Sequence, residues 1–355
     1  MSKIILLGDV HCGARNSSNI VSNHQLKFFE DQLFPYMKEN GIKIILQSGD
    51  LFESRKFTNH SVLHEWNNRF FSKLDEYGFE MHMILGNHDL AYKNTLEVNS
   101  PSLFLSHHKF VRIYDKPEVF KHGKLEILMM PWICEENAEE ALKTLADPPA
   151  KWTLGHYEIK DVEMHKGQTS VEGMGSDVFA KFDRVLSGHY HTQSKVGNIH
   201  YIGTPYETTW IDYGDPKGFH VLDTDTLKMK FVKNVSSLFN KIQYNDYNCS
   251  SDYWKTVDLS GIENTYVKVI VVNKTDPYQF DKFIERISQI QLADLKIVED
   301  LSDYSADGVD DEELEIEDTK SLLESYIDSV DTDLDKMKLK FMMKRLYKES
   351  LEVLQ

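Results

Sequence analysis

The chain has 355 residues, of which 40 are basic and 57 acidic, so its net charge is −17 with histidine neutral. This length exceeds one typical domain, and no run approaches the roughly 18 apolar residues of a membrane-spanning helix, which predicts a soluble protein of at least two domains. The three cysteines, Cys12, Cys134 and Cys249, form no CxxC pair, so the sequence supports neither a disulfide framework nor a thiolate zinc site and fits a reducing cytoplasm.

Apolar runs alternate with helical patterns over the first two-thirds of the chain, which is typical of an α/β layered domain. Strands are predicted at residues 3–7, 43–47, 81–85, 125–129, 152–154, 184–186, 200–202, 219–222 and 229–232. A helix between the first two strands contains Pro35, which predicts a kink or an early end. A second helix carries an apolar stripe that is either core or a partner surface, namely Leu63, Trp66, Phe70, Leu74 and Tyr77.

The pattern changes at about residue 235, where a small α+β domain is predicted. Residues 266–272 are strongly β-prone, Asp276-Pro277 is a helix start, and residues 295–298 indicate another strand. We therefore expect one domain at 1–234 and a second at 235–298.

The remaining segment begins with a block of acidic residues. Residues 299–318 contain eleven acidic side chains and no lysine or arginine, which predicts a solvated linker, with a DNA-mimicking or regulatory role as the alternative. Two short amphipathic helices are predicted in residues 319–355, and helices this short bury little alone. The pair is predicted either to pack back on its own chain or to dock on another protein through Leu322, Tyr326, Leu339, Met342, Met343 and Leu346.

Five short polar segments each follow a predicted apolar strand, and each begins with a glycine. They are Gly8-Asp9-Val10-His11, Gly49-Asp50-Leu51-Phe52, Gly86-Asn87-His88-Asp89, Gly155-His156 and Gly188-His189-Tyr190-His191. Polar residues at strand ends meet at one edge of such a sheet, where ligands usually bind, and glycine permits the close backbone approach this needs. Singly each segment is an ordinary turn, but five in this order predict one shared site.

The side chains in these segments are ligands that divalent metal ions prefer. Two carboxylates, one amide oxygen and four imidazoles are available, without a thiolate, which favours Mn²⁺, with Mg²⁺, Fe²⁺ or Zn²⁺ as alternatives. Seven ligands exceed what one four- or five-coordinate ion accepts, so two ions that share a carboxylate are predicted. Two ions about 3.5–4 Å apart can clamp a phosphate and activate water, which makes phosphoester hydrolysis the predicted reaction.

The order of the five segments resembles that of the calcineurin-like metallophosphoesterases, and residues 86–89 with 188–191 resemble their SbcD nuclease branch. Further similarity to bacteriophage nucleases of this branch lies in residues 98–115, 130–137, 201–206 and 215–219, and the resemblance spans nearly the whole chain. It implies a two-sheet metallophosphoesterase sandwich flanked by helices, a small α+β capping domain and a C-terminal helical pair.

The resemblance implies two metal sites that share one bridging carboxylate: Asp9, His11 and His191 hold one ion, Asn87, His156 and His189 hold the other, and Asp50 bridges them. It implies that His88 is the catalytic histidine at the leaving oxygen and that Asp89 orients it. The chain departs from the family pattern at Glu53, where many members carry a histidine, so the cleavage direction that this histidine influences is in question.

The resemblance also implies roles for the outer segments. Residues 235–298 would cap the site and help hold duplex DNA, and residues 319–355 would bind an SMC-like, SbcC-type ATPase. Family members dimerise through helices near the second and third segments, so a homodimer is expected. Three cations that follow the metal segments either contact DNA phosphates or are ordinary solvated surface: Arg55, Lys56 and Lys93.

We therefore expect a Mn²⁺-dependent DNA nuclease subunit that degrades duplex ends 3′ to 5′ and cuts single strands in recombination and repair. It would act in the cytoplasm, or in that of the host if a phage encodes the chain. Two alternatives stay open. One is the same fold acting on a phosphoprotein or small phosphodiester, although residues 49–54 lack the arginine with which phosphoprotein phosphatases grip a phosphomonoester. The other is a non-catalytic adaptor for the ATPase, although the intact ligand set argues against an inert site.

Overall fold

A computed structural model describes residues 2–165, 168–171, 173–247 and 252–299, together with four later positions, 327, 339, 342 and 343. The chain divides into two units, residues 1–299 and 300–355. The four described residues of the second unit are helical, with Ile327 buried and Met342 51% exposed. The other residues of the predicted docking surface, Leu322, Tyr326 and Leu346, lie outside the described residues, as does the acidic segment beyond Glu299.

Strands provide the framework of the first unit. In chain order they are β1 (Lys3–Leu7), β2 (Ile44–Gln47), β3 (Glu80–Ile84), β4 (Val111–Tyr114), β5 (Glu118–His122), β6 (Leu125–Met130), β7 (Trp152–Gly155), β8 (Glu163–His165), β9 (Gln168–Thr169), β10 (Arg184–Ser187), β11 (Ser194–Val196), β12 (Ile199–Tyr201), β13 (Gly218–Asp223), β14 (Met229–Lys233), β15 (Phe239–Asn245), β16 (Tyr266–Asn273) and β17 (Asp294–Glu299). Over the described residues, the first large sheet has the order β14-β13-β1-β2-β3-β4 and the second β11-β12-β10-β7-β6-β5. The strands β15-β16-β17 form a parallel sheet, and β8 pairs with β9.

The helices lie between and after these strands. They are α1 (Ala14–Ser17), α2 (Asn19–Phe28), α3 (Phe34–Asn40), α4 (His60–Trp66), α5 (Ser72–Tyr77), α6 (Ser100–Leu105), α7 (Ala138–Ala146), α8 (Tyr253–Thr256) and α9 (Pro277–Ser288). Five-residue π-helical turns join α2 to α3 and α4 to α5, and 3₁₀ turns occur at Ser176–Phe179, Trp210–Asp212 and Ser260–Ile262. Within the part of the chain that the structure describes, no helix is long and apolar enough to cross a membrane.

The two large sheets pack face to face, as the predicted α/β fold requires, and the fold class is confirmed. On β1, Ile4 and Leu6 face the core between the sheets, while Ile5 and Leu7 face the core beneath the helices. All four side chains are fully buried. A strand covered on both faces reads as a continuous apolar run, which is why β1 was evident from the sequence.

The helix that contains Pro35 does not end early, so that part of the prediction is wrong. Helical backbone continues from Asn19 to Asn40, and the π-helical turn at Phe29–Leu33 immediately precedes the proline. In that turn the N–H of Phe34 donates to the carbonyl of Phe29. Proline has no N–H to donate, and the wider turn lets the helix pass this position before Gly41 ends it in a left-handed conformation.

The apolar stripe on the second helix belongs to the core. Trp66, Phe70 and Leu74 are fully buried, and the ring centroid of Phe70 lies 4.4 Å from that of Phe29 on the neighbouring helical segment. Leu63 and Tyr77 are half-buried and pack against the same core, so the stripe as a whole is core-facing.

The segment from Phe239 to Glu299 has a hydrophobic core of its own. Tyr244, Trp254 and Phe283 lie in a cluster between the three-stranded sheet and the helices α8 and α9. The start of α9 is as predicted, since the Asp276 side chain accepts hydrogen bonds from two backbone amides and Pro277 occupies the first turn.

Candidate metal centre

All five polar segments lie at the carboxyl ends of central strands. Three follow β1, β2 and β3 of the first sheet, and two follow β7 and β10 of the second. Within each sheet these strands are parallel. Because the sheets pack face to face, the strand ends meet and bring the seven predicted ligands together.

The first group of ligands, which we call the A site, consists of Asp9, His11 and His191. Their ligand atoms lie within 4.8 Å of one another, and Nε2 of His11 is 3.1 Å from Nε2 of His191. Asp9 is almost fully buried and accepts a hydrogen bond of 2.8 Å from the His189 backbone N–H and one of 3.2 Å from the Ser48 hydroxyl.

The second group, which we call the B site, consists of Asn87, His156 and His189, with Asp50 beside it. Oδ1 of Asn87 lies 3.0 Å from Nε2 of His156 and 3.1 Å from Nδ1 of His189. Oδ2 of Asp50 lies 3.1 Å from Nε2 of His156. Nδ1 of His156 is 2.8 Å from the Ser48 carbonyl, which can only accept, so Nδ1 carries the hydrogen.

Three of these ligands have left-handed backbone conformations. The φ angle is 50° at His11, 50° at Asp50 and 83° at His189. Residues other than glycine rarely occupy this region, and such strain clusters at functional sites. The sheet ends thus hold these side chains in place against a local backbone preference.

Two glycines of the segments allow the chain to approach the carboxylates closely. A Cβ at Gly86 would collide with the backbone and side chain of Asp50, and a Cβ at Gly188 would collide with Asp9 and Ser48. The sequence signal of a glycine before each polar group therefore has a steric cause.

The electrostatics of the A site are dominated by carboxylates. Burial disfavours a charged imidazole at His11, but the Glu53 carboxylate outweighs it and raises the pKa of His11 to about 10. Burial would raise the pKa of Glu53, and the His11 imidazole instead lowers it to about 2. Burial raises the pKa of Asp9 to about 6. Without a bound cation beside it, the His11 imidazole is therefore protonated at neutral pH.

The B site contains one charged and one neutral imidazole. Burial opposes the charge on His156, but Asp50 and Asp9 raise its pKa to about 9. Burial and the neighbouring His156 lower the pKa of His189 to about 3. Burial would raise the pKa of Asp50, yet the imidazoles of His156 and His88 hold it well below its usual range.

The structure places His88 at the site but gives it a different partner from the predicted one. Its Nδ1 lies 2.7 Å from the backbone carbonyl of Glu53, and its ring centroid lies 5.2 Å from that of His11. Asp89, which was expected to orient His88, uses its two oxygens to accept hydrogen bonds from the backbone of Gly86, Leu51 and Phe52. Asp89 therefore joins the second and third segments, and burial raises its pKa to about 7.

Two residues that contact the candidate ligands were not predicted as site residues from the sequence, namely Glu53 and Lys217. Oε2 of Glu53 is 2.7 Å from Nδ1 of His11, at the position noted only as a departure from the family pattern. Lys217 is buried and donates to the His191 carbonyl at 2.9 Å and to Asp212 at 2.6 Å. Nothing in the local pattern around Lys217 distinguishes it from a surface lysine.

The predicted DNA-contacting cations lie beside the site but not in it. Arg55 and Lys56 line a cleft of about 330 Å³ together with Tyr92 and Leu103. Lys56 and Lys93 are exposed, while Arg55 is half-buried.

The donor set fits divalent cations on its own chemistry. Within each candidate group the carboxylate oxygens and imidazole nitrogens lie within 4.8 Å of one another, and the Asn87 amide oxygen lies 3.0 Å from His156. Ligands of these types suit Mn²⁺, Fe²⁺ or Zn²⁺. Nε2 atoms of two imidazoles only 3.1 Å apart, with carboxylates around them, form an arrangement that a cation between them would stabilise.

Residues 2–193 match the family model described as calcineurin-like phosphoesterase. This match spans more than half of the chain and includes all seven candidate ligands. The chain belongs to the calcineurin-like phosphoesterase family. As a member it is a metal-dependent phosphoesterase, so the expectation of an enzyme is confirmed, and the family implies divalent metal ions.

Two individual similarities accompany this membership. The chain is 32% identical over 353 residues to "Exonuclease subunit 1" of Enterobacteria phage T4, which covers 99% of this chain and 100% of that protein. A solved structure of glutamine-dependent NAD+ synthetase from Acinetobacter baumannii, in complex with adenosine diphosphate, aligns with 96% of this chain and 70% of that chain at 12% identity and a TM-score of 0.31. A similarity this low carries no argument about fold or function.

Proposed function

We propose that this phosphoesterase is the nuclease subunit of a DNA-processing complex and that it hydrolyses DNA phosphodiester bonds with two divalent ions, preferably Mn²⁺. The observation that carries the proposal is the pair of adjacent ligand groups in a chain that is 32% identical, over nearly its full length, to an exonuclease subunit. A nuclease subunit acts with a partner, and we propose the second unit of the chain, residues 300–355, as the part that binds it.

In this proposal the A site holds one ion, the B site holds the other, and Asp50 bridges them. The support is that Asp50 lies 3.1 Å from His156 on the B side and that its charge also bears on His11 on the A side. Bound there, two cations would polarise the phosphodiester and activate water for in-line displacement. The protein contributes fixed ligands at the ends of rigid strands.

His88 is the proposed catalytic histidine. The Glu53 carbonyl accepts from its Nδ1, so Nε2 is the ring atom that exchanges a proton with the leaving oxygen. Its ring is partly exposed whereas Asp89 behind it is fully buried. This combination lets a substrate reach the imidazole while the loop beneath stays ordered.

Duplex ends, degraded 3′ to 5′, and single strands are the proposed substrates. The cleft beside the site is lined by Arg55 and Lys56 and by no aspartate or glutamate. The chain has a net charge of −17, but the charged side chains that line this cleft are positive, as binding to a phosphate backbone requires. Lys93 would add to it from the neighbouring loop.

The outer segments are proposed to serve assembly and DNA retention. Residues 235–298 would cap the site over DNA, residues 299–318 would be a linker, and residues 319–355 would bind an SMC-like, SbcC-type ATPase. A homodimer is proposed through the surface near the second and third segments, where Phe57 is 78% exposed. The chain would act in the host cytoplasm if a phage encodes it.

End-labelled duplex DNA incubated with Mn²⁺ or Mg²⁺ tests the nuclease assignment. We expect Mn²⁺-dependent shortening from the 3′ ends and its loss in Asp50→Asn, because asparagine tolerates the left-handed backbone of residue 50 but removes the charge. Asp161→Asn, at an exposed position that also has a left-handed backbone, is the control and should cleave normally. Full activity of Asp50→Asn, or no DNA cleavage by the unaltered chain, would contradict the proposal.

Deletion of residues 319–355 tests the partner assignment. The shortened chain should fail to co-purify with the ATPase but still cut single-stranded DNA. Unchanged binding of the ATPase would refute the docking role of this segment.

A further inference from the structure

We infer that Glu53 is a positioning residue for the A site, because its carboxylate orients the ring of His11 while its backbone carbonyl orients His88. The inference rests on the proposed function, since it concerns a cation bound at the A site. It assigns a role to the one residue of the site at which the chain departs from the pattern it resembles.

The side chain of Glu53 determines which nitrogen of His11 is available to a metal ion. Oε2 of Glu53 is 2.7 Å from Nδ1 of His11 in an ion-pair contact, in which the ring N–H does not point along the contact, since Nδ1 has no aligned hydrogen-bond partner. A carboxylate oxygen this close to the ring favours the hydrogen on Nδ1 over a lone pair there. The lone pair of the ring is then on Nε2, which is the atom that lies 3.1 Å from Nε2 of His191. A carboxylate in this position fixes the ring orientation and makes the ligand nitrogen more basic.

The backbone of Glu53 is held by the same segments that carry the ligands. Its N–H donates to the Cys12 carbonyl at 3.0 Å, and the N–H of Cys12 donates to the Leu51 carbonyl at 2.8 Å. These bonds tie the residues after His11 to the residues after Asp50. The Glu53 carbonyl in turn accepts from Nδ1 of His88 at 2.7 Å, so one residue aligns a metal ligand and the catalytic histidine.

The side chain is also enclosed in the way that a positioning role requires. His11 is 3% exposed and the Glu53 side chain 22% exposed, so solvent screens their contact less than that of a surface pair. In the B site the corresponding partner of His156 is the neutral Ser48 carbonyl. The carboxylates near His156 are those of Asp50 and Asp9, at 3.1 and 4.0 Å, and both are candidate ligands themselves. Glu53 pairs with an imidazole of the A site, so its removal should affect that site.

Glu53 has one competing role, as a ligand of an additional cation with His11 and His88. The candidate ligand atoms of these three residues lie within 4.8 Å of one another. We favour the positioning role because residue 53 contacts both rings at Nδ1, His11 through an ion pair and His88 through a hydrogen bond. The two roles differ in the number of Mn²⁺ ions bound, which can be counted.

Isothermal titration of the full-length protein with Mn²⁺ alone tests the inference without any activity measurement. Four proteins are compared: the unaltered chain, Glu53→Leu, Glu53→Gln and the control Glu30→Gln, which removes the same charge from a glutamate paired with Arg69. We expect two Mn²⁺ per unaltered chain, with one of the two sites weakened about 10- to 100-fold in Glu53→Leu. Glu53→Gln keeps an acceptor oxygen for Nδ1 and should recover part of this loss, and Glu30→Gln should match the unaltered chain.

Thermal unfolding of the metal-free proteins shows whether the variants stay folded. The inference requires that Glu53→Gln melts as the unaltered chain does while its stabilisation by Mn²⁺ is smaller. Equal affinity of all four proteins for Mn²⁺, equal weakening of both sites, or a third Mn²⁺ that only Glu53 variants lose would each overturn it. If the unaltered chain binds no Mn²⁺, the proposed function fails and the inference fails with it.

Discussion

The A and B sites use the same kinds of ligand in different surroundings. At the A site, His11 contacts the Glu53 carboxylate at 2.7 Å, and Nδ1 of His191 lies 4.0 Å from a carboxylate oxygen of Asp212. Each imidazole there has an acidic side chain next to it that is not one of the predicted ligands.

At the B site the carboxylates next to His156 are those of the candidate ligands Asp50 and Asp9, at 3.1 and 4.0 Å. Nδ1 of His156 donates to the Ser48 carbonyl, and the ring of His189 lies between Trp132 and Tyr190, with ring centroids 5.5 and 5.1 Å away. Aromatic rings and a backbone carbonyl fix these imidazoles without adding charge. The same arrangement of strand ends can therefore orient an imidazole either through a neighbouring charge or through packing. The group that keeps an imidazole protonated also differs, since it is chiefly Glu53 for His11 and Asp50 for His156.

The largest expected effect concerns His88, which we propose as the catalytic histidine beside the A site. His88→Gln should lower turnover on DNA by about 10²- to 10⁴-fold, because a general acid is lost. Mn²⁺ titration should still count two sites, with His107→Gln, at an exposed position, as the control. If His88→Gln instead empties the A site, His88 is a ligand and the division between the sites must be redrawn.

A second prediction removes the ammonium group of Lys217, which contacts the backbone of His191 in the A site. Lys217→Met leaves Asp212 buried without its partner at 2.6 Å, and breaking a buried pair in this way costs about 3–5 kcal/mol. Urea unfolding of the metal-free protein measures the loss in the free energy of unfolding. Lys228→Met, at an exposed position, should change it little, and equal stability of both variants would show that the pair is not a structural support of the His191 loop.

Proton release separates the two sites at neutral pH. His11 and His156 have pKa values raised to about 10 and about 9, so both are protonated at pH 7.5 and must lose that proton to bind a cation, whereas His189 with a pKa of about 3 is already neutral. Affinity for Mn²⁺ should therefore rise with pH, by about tenfold per unit for each proton released. It should level off above about pH 9 at the B site and about pH 10 at the A site.

Titration in buffers of different ionisation enthalpy counts these protons. We expect about two for the unaltered chain and about one for Glu53→Gln, since Glu53 is the first cause of the raised pKa of His11. Release of two protons by both proteins would break the proposed distinction between the sites.

The smallest effect is expected from Ser48, the residue that contacts both sites. Its hydroxyl donates to Asp9 at 3.2 Å on the A side, and its carbonyl accepts from His156 at 2.8 Å on the B side. Ser48→Ala removes only the hydroxyl, which is worth about 0.5–1.5 kcal/mol. The A site should bind Mn²⁺ several-fold less tightly and the B site as before, and a change confined to the B site would contradict this assignment.

The central strands and the five site segments could be predicted because their signals are local. A strand such as β1 or β2 is buried on both sides and consists mostly of apolar residues, and each polar segment follows or ends a buried strand with its glycine. The strands that were not predicted include β4, β5, β11 and β15, all of which lie at sheet edges. Edge strands carry polar and exposed residues, so their pairing depends on a neighbour that the local pattern does not reveal.

Local patterns were therefore enough to predict the α/β class, the candidate ligand types and their order along the chain. Packing in three dimensions makes the stripe from Trp66 to Leu74 part of the core and brings Glu53 and Lys217 into contact with the candidate ligands His11 and His191. These outcomes depend on contacts between residues far apart in the chain, such as Trp66 with Phe29 and Lys217 with His191. Distant contacts leave no periodic trace in the sequence, because either partner alone fits an ordinary helix, loop or surface.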